Sequence, residues 1–220
     1  MQPHKFIETL HSLRFTDVFN PYTDRCSVYD LKDAPSRRST MLEAMLKEAV
    51  EVSVDSIWIG RDLGYRGGRR TGLALTDDVH MLAHAQRWGI AANRPTKGAV
   101  VAERTAAITW GLLSCIEVPV FLWNVFPLHP HEPDEPFSNR SHNAKERRAG
   151  EGILSELLEL LKPRRIIAIG NDAAKTAQKL SQGQTVIQVR HPSYGGQNQF
   201  IEQMTAIYAL NPKTKQGYLF

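Results

Sequence analysis

The sequence predicts an α/β fold of three layers, α/β/α, around a central, mainly parallel sheet of four strands. Three observations lead there. Four apolar runs that end in turn residues read as buried strands, segments with helical spacing of apolar residues lie between them, and strand and helix alternate along the chain. That alternation is the order that right-handed crossovers convert into parallel pairing. With 220 residues, 42% of them hydrophobic and 23% charged, the chain suits one domain, 1–220, with a sizeable core.

The elements follow in order. Residues 1–50 read as a helical N-terminal part, with a helix over Thr40–Val52. Val54–Ile59 is the first strand, stopped by a glycine loop. A helix over Ala102–Leu113 leads to the second strand, Val118–Phe126. Pro127–Asn143, rich in proline, histidine and acidic residues, reads as a long ordered loop. A helix over Lys145–Leu161 follows, with Pro163 just beyond it as a stop signal. Arg165–Ile169 is the third strand, Asp172–Leu180 the next helix, and Thr185–Val189 the fourth strand, ending before His191. No internal repeat or low-complexity tract interrupts this pattern.

Several classes are excluded. No run approaches a membrane span, and MQPHKFIETLHSLRF lacks a basic segment followed by an apolar run, so a cytoplasmic protein with no membrane partner is expected. Cys26 and Cys115 are the only cysteines, too few for a disulfide framework or a four-cysteine metal or iron-sulfur site. The net charge of +4 permits an acidic partner, but local clustering of arginine says more.

Ligands of open parallel sheets bind outside the carboxyl ends of the strands. Here those ends lead into the Asp62 loop, NVFPLHPHEPDEPFSNRSHNAKER, GNDAAKTA and RHPSYGGQNQ, which should converge on one crevice. The first loop, within WIGRDLGYRGGRRTGLALT, sets a single carboxylate, Asp62, among five glycines and four arginines. It lacks the Gly-Lys-Ser/Thr of a P-loop and the G-x-G-x-x-G of a dinucleotide site.

GRDLGYRGGRRTGLALT resembles, without a gap, the water-activating loop of the uracil-DNA glycosylase superfamily, whose best-known branch carries GQDPYH. FLWNVFP is similar to the strand that ends in the family's base-reading asparagine. SNRSHNAKERRAGE looks like a lengthened version of its N-x-H-K-E-R stretch, RIIAIGNDAAKTA like its next strand and helix, and VRHPSYGGQ like its HPS-type motif. The resemblance makes Asp62 and His191 the catalytic aspartate and histidine, and Asn124 the reader of the pyrimidine edge.

The residue types suit that chemistry. Breaking the bond between deoxyribose and a pyrimidine develops positive charge on the sugar and negative charge on the base. An ionised Asp62 can stabilise the first and orient water, and His191 can donate a hydrogen bond to base O2 without being protonated. The base must leave its stack to be reached. Its Watson-Crick edge would then meet the Asn124 amide. Arg66, Arg69, Arg70, Lys97, His142, Lys145 and Arg190, with the HPS-loop residues Ser193, Tyr194, Gly195 and Gln197, are expected on the DNA side. Two departures bear on the base. Gly64 stands where the GQDPYH branch has a tyrosine walling off pyrimidine C5, with Tyr65 beside it to fill part of the space, and Leu75 stands where that branch stacks a phenylalanine. Gly195 replaces the family's leucine wedge, leaving Tyr194 or Gln197 for that task.

The histidines of HPHEP, His129 and His131, read as surface residues rather than metal ligands with Glu132, and His80 and His84 as structural. The resemblance therefore implies a monofunctional, monomeric DNA glycosylase that needs no metal or cofactor. It would release uracil or a 5-modified pyrimidine and leave an abasic site, in base excision repair or in defence against modified viral DNA. The rival reading is a catalytically inactive nucleic-acid-binding module of the same fold; Asp62, Asn124 and His191 together count against it. A nucleotide-binding regulatory protein would need the lysine that the glycine loop lacks.

Overall fold

A computed structural model describes residues 2–211. Its elements are α1 (Pro3–Ser12), β1 (Val18–Phe19), α2 (Ala34–Glu51), β2 (Ser56–Asp62), α3 (Gly68–Thr71), α4 (Met81–Arg87), α5 (Arg104–Leu113), β3 (Val120–Phe126), β4 (His129–Pro130), α6 (Ala144–Leu161), β5 (Arg165–Ile169), α7 (Asn171–Leu180), β6 (Thr185–Val189) and α8 (Gln197–Ile207). The four longer strands form an entirely parallel sheet in the order β3-β2-β5-β6.

The strand period of two separates the core into two layers. Ile57, Ile59, Phe121, Trp123, Val125, Ile166 and Ala168 face the side filled by α1, α2, α6 and α7. Trp58, Val120, Leu122, Ile167, Ile169 and Val189 face the other side, where α5 and α8 supply Ala106, Leu112, Phe200 and Met204. Every residue of β3 is buried, as two covered faces require, whereas edge strand β6 is partly exposed. Among the described residues no helix is long and apolar enough to cross a membrane.

Two features place the site. Chain order reverses between β2 and β5, so the loops leaving these neighbours part in opposite directions and open a crevice at their carboxyl ends. And β2 continues past the predicted end at Ile59 to Asp62, which pairs with Phe126 of β3. The carboxylate thus stands on the last residue of a central strand rather than within a free loop.

Elsewhere the structure extends or corrects the reading. α2 begins at Ala34, six residues before the predicted Thr40. α6 starts with a capping box in which the Asn143 side chain accepts from the Lys145 and Glu146 backbone while Glu146 accepts from the Asn143 N–H. The long loop Pro127–Asn143 is pinned by a short antiparallel ribbon, Phe19 opposite His129 and Val18 opposite Pro130. His129 is consequently fully buried, not a surface residue. Gln197, expected in the loop after the last strand, begins α8.

Candidate active site

A cavity of about 440 Å³ opens at the carboxyl ends of β2 and β5. Its lining draws on all four post-strand segments: Gly60 to Gly64, Asn139 and Arg140, Gly170 to Asp172, and Arg190, His191, Ser193 and Tyr194, with Asn124 at its inner wall.

Asn124 is 1% exposed, and among the described residues neither its amide nitrogen nor its oxygen has a hydrogen-bond partner. Its strand neighbour is Gly60, where an added Cβ would lie 2.5 Å from Asn124 Oδ1. Only glycine leaves the amide its place. Leu75, in the left-handed region at φ 53°, brings its side chain against the same point. A buried, unsatisfied amide beside a cavity is costly unless something fills it with matching donors and acceptors.

Asp62 has a side chain only 6% exposed, with both oxygens held. Oδ2 accepts from Arg61 Nε at 2.8 Å. Oδ1 accepts from Nδ1–H of His142, whose Nε2 lies 3.4 Å from Asp172 Oδ2. Asp172 is in turn paired with Arg147.

His191 lines the same cavity, its Cβ 3.4 Å from where a Cβ on Gly170 would stand. Its Nδ1 accepts from the Ser193 backbone N–H at 3.1 Å and lies 2.7 Å from Ser193 Oγ, so the ring proton belongs on Nε2. Burial, then Arg61 and Arg190, hold its pKa below the ordinary histidine value. The imidazole is thus a neutral donor at neutral pH. Gly196 allows this turn, because a Cβ there would fall 2.1 Å from the His191 carbonyl oxygen.

A carboxylate, a neutral imidazole donor and an open amide around one cavity can serve a sugar carrying positive charge, a base carrying negative charge and the edge of that base. The sequence model of the uracil DNA glycosylase superfamily matches residues 21–212. The chain belongs to that superfamily. Among solved structures, wild-type SMUG2 of Pedobacter heparinus is similar at a TM-score of 0.63 with 16% identity, over 95% of this chain and 97% of the other. A tyrosine-to-glycine variant of the UNG of Nitratifractor salsuginis is similar at a TM-score of 0.36 with 17% identity, over 80% and 78%. Comparison with curated proteins gives no match.

Of the residues expected at the site, Asp62, Asn124, His191, Gly64, Leu75, Arg190, Ser193 and Tyr194 line the cavity. Tyr194 is 98% exposed at its rim, followed by Gly195 at φ +76°. Gln197 stands nearby, accepting from Arg104 Nη2 at 3.2 Å. Arg66 is exposed, its guanidinium 6.0 Å from the centroid of the Tyr65 ring. Tyr65 does not line the cavity and leaves the space beside Gly64 open. Lys97 and Lys145 are exposed outside the lining, Lys97 reaching Ser27 O at 3.4 Å.

Three expectations are corrected. Arg69 is buried: its Nε donates to Tyr29 Oη and its Nη1 to His129 Nδ1, each at 2.9 Å, with the guanidinium 3.8 Å from the Phe19 ring centroid. Burial, then Arg69, push His129 down to about 3, which keeps it the neutral acceptor this bond needs. Arg70 is also buried, donating to Asp78 Oδ2 at 2.8 Å through Nε and lying 2.7 Å from it through Nη2. Both arginines tie the loop to the core instead of meeting phosphate. His142, with 1% of its side chain exposed, holds Asp62 and faces no DNA. Arg70→Ala should therefore lower the unfolding free energy by about 3 kcal/mol, because buried Asp78 loses its counter-charge, while the salt dependence of DNA affinity stays as in wild type. Chemical denaturation and salt-titrated binding check this; a reduced salt slope with unchanged stability would return Arg70 to the DNA face.

Sequence reasoning missed Arg61, Asn139, Glu103 and Asp172, all on the cavity wall. Arg61 was legible as the immediate neighbour of Asp62. Asn139 Oδ1 accepts the Tyr65 N–H at 2.9 Å and so fixes the glycine loop. Burial pushes the Glu103 carboxyl up, Thr105 opposes that through a hydrogen bond, and the Asp77 carboxylate adds to it.

Proposed function

We propose that the protein is a monofunctional glycosylase that hydrolyses the N-glycosidic bond of uracil or a 5-substituted pyrimidine in DNA and leaves an abasic site. The observation that carries this reading is the Asn124 amide, buried and without a partner among the described residues, in the wall of the cavity that Asp62 and His191 also line. A pyrimidine edge supplies one donor and one acceptor there, and a flipped base fills the cavity. Asp62 faces the sugar cation and attacking water, while His191 Nε2–H meets the departing base at O2. Exposed Tyr194 is placed to enter the stack that the base leaves, and Arg66 and Arg190 to meet phosphates. The protein acts as a monomer in the cytoplasm and uses no cofactor.

The decisive experiment incubates the protein with DNAs bearing uracil, thymine and larger 5-substituted pyrimidines, and identifies released bases by mass spectrometry. Release of a free pyrimidine with an intact abasic strand is expected. Binding without release from any of them would favour the inactive DNA-binding module.

Room at C5 favours the 5-substituted substrate, and with it a role in defence against modified viral DNA over repair of uracil. A Cβ on Gly64 would meet only Asn139 Oδ1, at 4.0 Å. Glu103 and Thr105 add polar groups to the same cavity wall, suited to a substituent that hydrogen-bonds. Gly64 lies outside the left-handed region, so tyrosine is tolerated there without backbone strain. Gly64→Tyr should penalise a large 5-substituted pyrimidine at least roughly tenfold more than uracil. The ratio of the two single-turnover rates measures this. An unchanged ratio would make Gly64 a turn residue only and remove the support for modified bases.

A further inference from the structure

The two partners of the Asp62 carboxylate differ in freedom. His142, on Oδ1, is closed in with 1% of its side chain exposed, whereas Arg61, on Oδ2, is 49% exposed. Arg61 also lines the cavity shared with Asn124 and His191, and its charge helps keep His191 neutral. A guanidinium is therefore seated on the oxygen that His142 leaves open, beside the place where the sugar would turn positive.

That arrangement works against the reaction. A cation on the carboxylate cancels the field meant for a developing sugar cation and repels that charge. Yet the pair is partly exposed and between adjacent residues, so breaking it costs little if another anion is offered. A phosphodiester matches the guanidinium fork as well as a carboxylate does. Bound DNA would bring such phosphates to the cavity mouth.

We propose that Arg61 covers the catalytic carboxylate in the free protein and is drawn off by a DNA phosphate flanking the target nucleotide, so that Asp62 gains its full effect only on bound DNA. This rests on the glycosylase reading above and adds a control of the same site. Arg61 then has two alternative anions, Asp62 without DNA and a phosphodiester with it.

The test times base release under single-turnover conditions from two DNAs. One has natural phosphodiesters; the other carries uncharged methylphosphonates on both sides of the target nucleotide. Wild type is compared with Arg61→Ala and with Arg61→Gln, which keeps hydrogen bonding without charge, and protein saturates both DNAs so that affinity drops out. Wild type should be at least about tenfold slower on the methylphosphonate DNA, and the two variants less than about threefold slower. An equal penalty in wild type and variants overturns the cover while leaving the glycosylase reading intact. Loss of release from natural DNA by both folded variants also overturns it, since a cover is not needed for chemistry. No release by wild type from either DNA overturns the glycosylase reading, and the cover with it.

Discussion

Asp62→Asn should slow single-turnover base release at least roughly 100-fold while DNA affinity stays near that of wild type. The substitution keeps the shape of the side chain and removes its charge, so it isolates electrostatic stabilisation of the sugar and activation of water. Little of the effect should fall on binding, because the Asp62 side chain is 6% exposed and offers DNA almost no surface. One complication is local. His142 donates Nδ1–H to Asp62 Oδ1, and an asparagine that turned its NH2 that way would set donor against donor in a buried place. Asp62→Ala, which removes the conflict, serves as the companion variant, and thermal unfolding of both shows whether the fold is kept. Undiminished release by either folded variant would remove Asp62 from the chemistry.

Asp62, Asn124 and His191 were named from the resemblance to the superfamily's motifs; the alternation of strand and helix said only that the segments after the strands meet at one crevice, and all three residues do line one cavity. The two-layer core was legible from the continuous apolar runs of β2, β3 and β5, which mark strands covered on both faces. What the chain's pattern did not carry was the direction of side chains in the short turn α3. Arg66, Arg69 and Arg70 look alike in GYRGGRR, but Arg66 remains outside while Arg69 and Arg70 turn inward. Their partners, Tyr29, His129 and Asp78, lie 40, 60 and 8 residues away. Such pairings depend on packing between distant segments, which no local spacing encodes. His142 is a parallel case: 80 residues separate it from Asp62, and as a histidine in a basic stretch it reads as a phosphate contact. The ribbon that buries His129 has only two residues in each strand, too short for a periodic signal. The helix α8 was hidden by the glycines just before it, which read as a continuing loop.

His191→Ala should likewise slow release at least roughly 100-fold, the scale of losing one donor aimed at a developing oxyanion. Its pH dependence separates two forms of that donor. Burial, followed by the charges of Arg61 and Arg190, lowers the His191 pKa, and the Ser193 backbone N–H occupies Nδ1, so the neutral ring with its proton on Nε2 is the form present at neutral pH. Lowering a histidine's folded pKa means that the unfolded chain takes up the proton first. Its contribution is therefore constant above the ordinary value of 6.5 and turns destabilising as pH falls through it. The rate ratio of wild type to His191→Ala should accordingly be flat from about pH 7 to about pH 9. An imidazolium donor would behave differently: above its pKa the wild-type advantage would fall about tenfold with each pH unit. A nitrogen-detected NMR titration gives the independent reading, with the His191 midpoint expected below 6.5. A midpoint above that value, joined to a falling ratio, would mean that a charged His191 does the work and that Arg61 and Arg190 do not govern it; an unchanged rate in the alanine variant would place the oxyanion donor elsewhere.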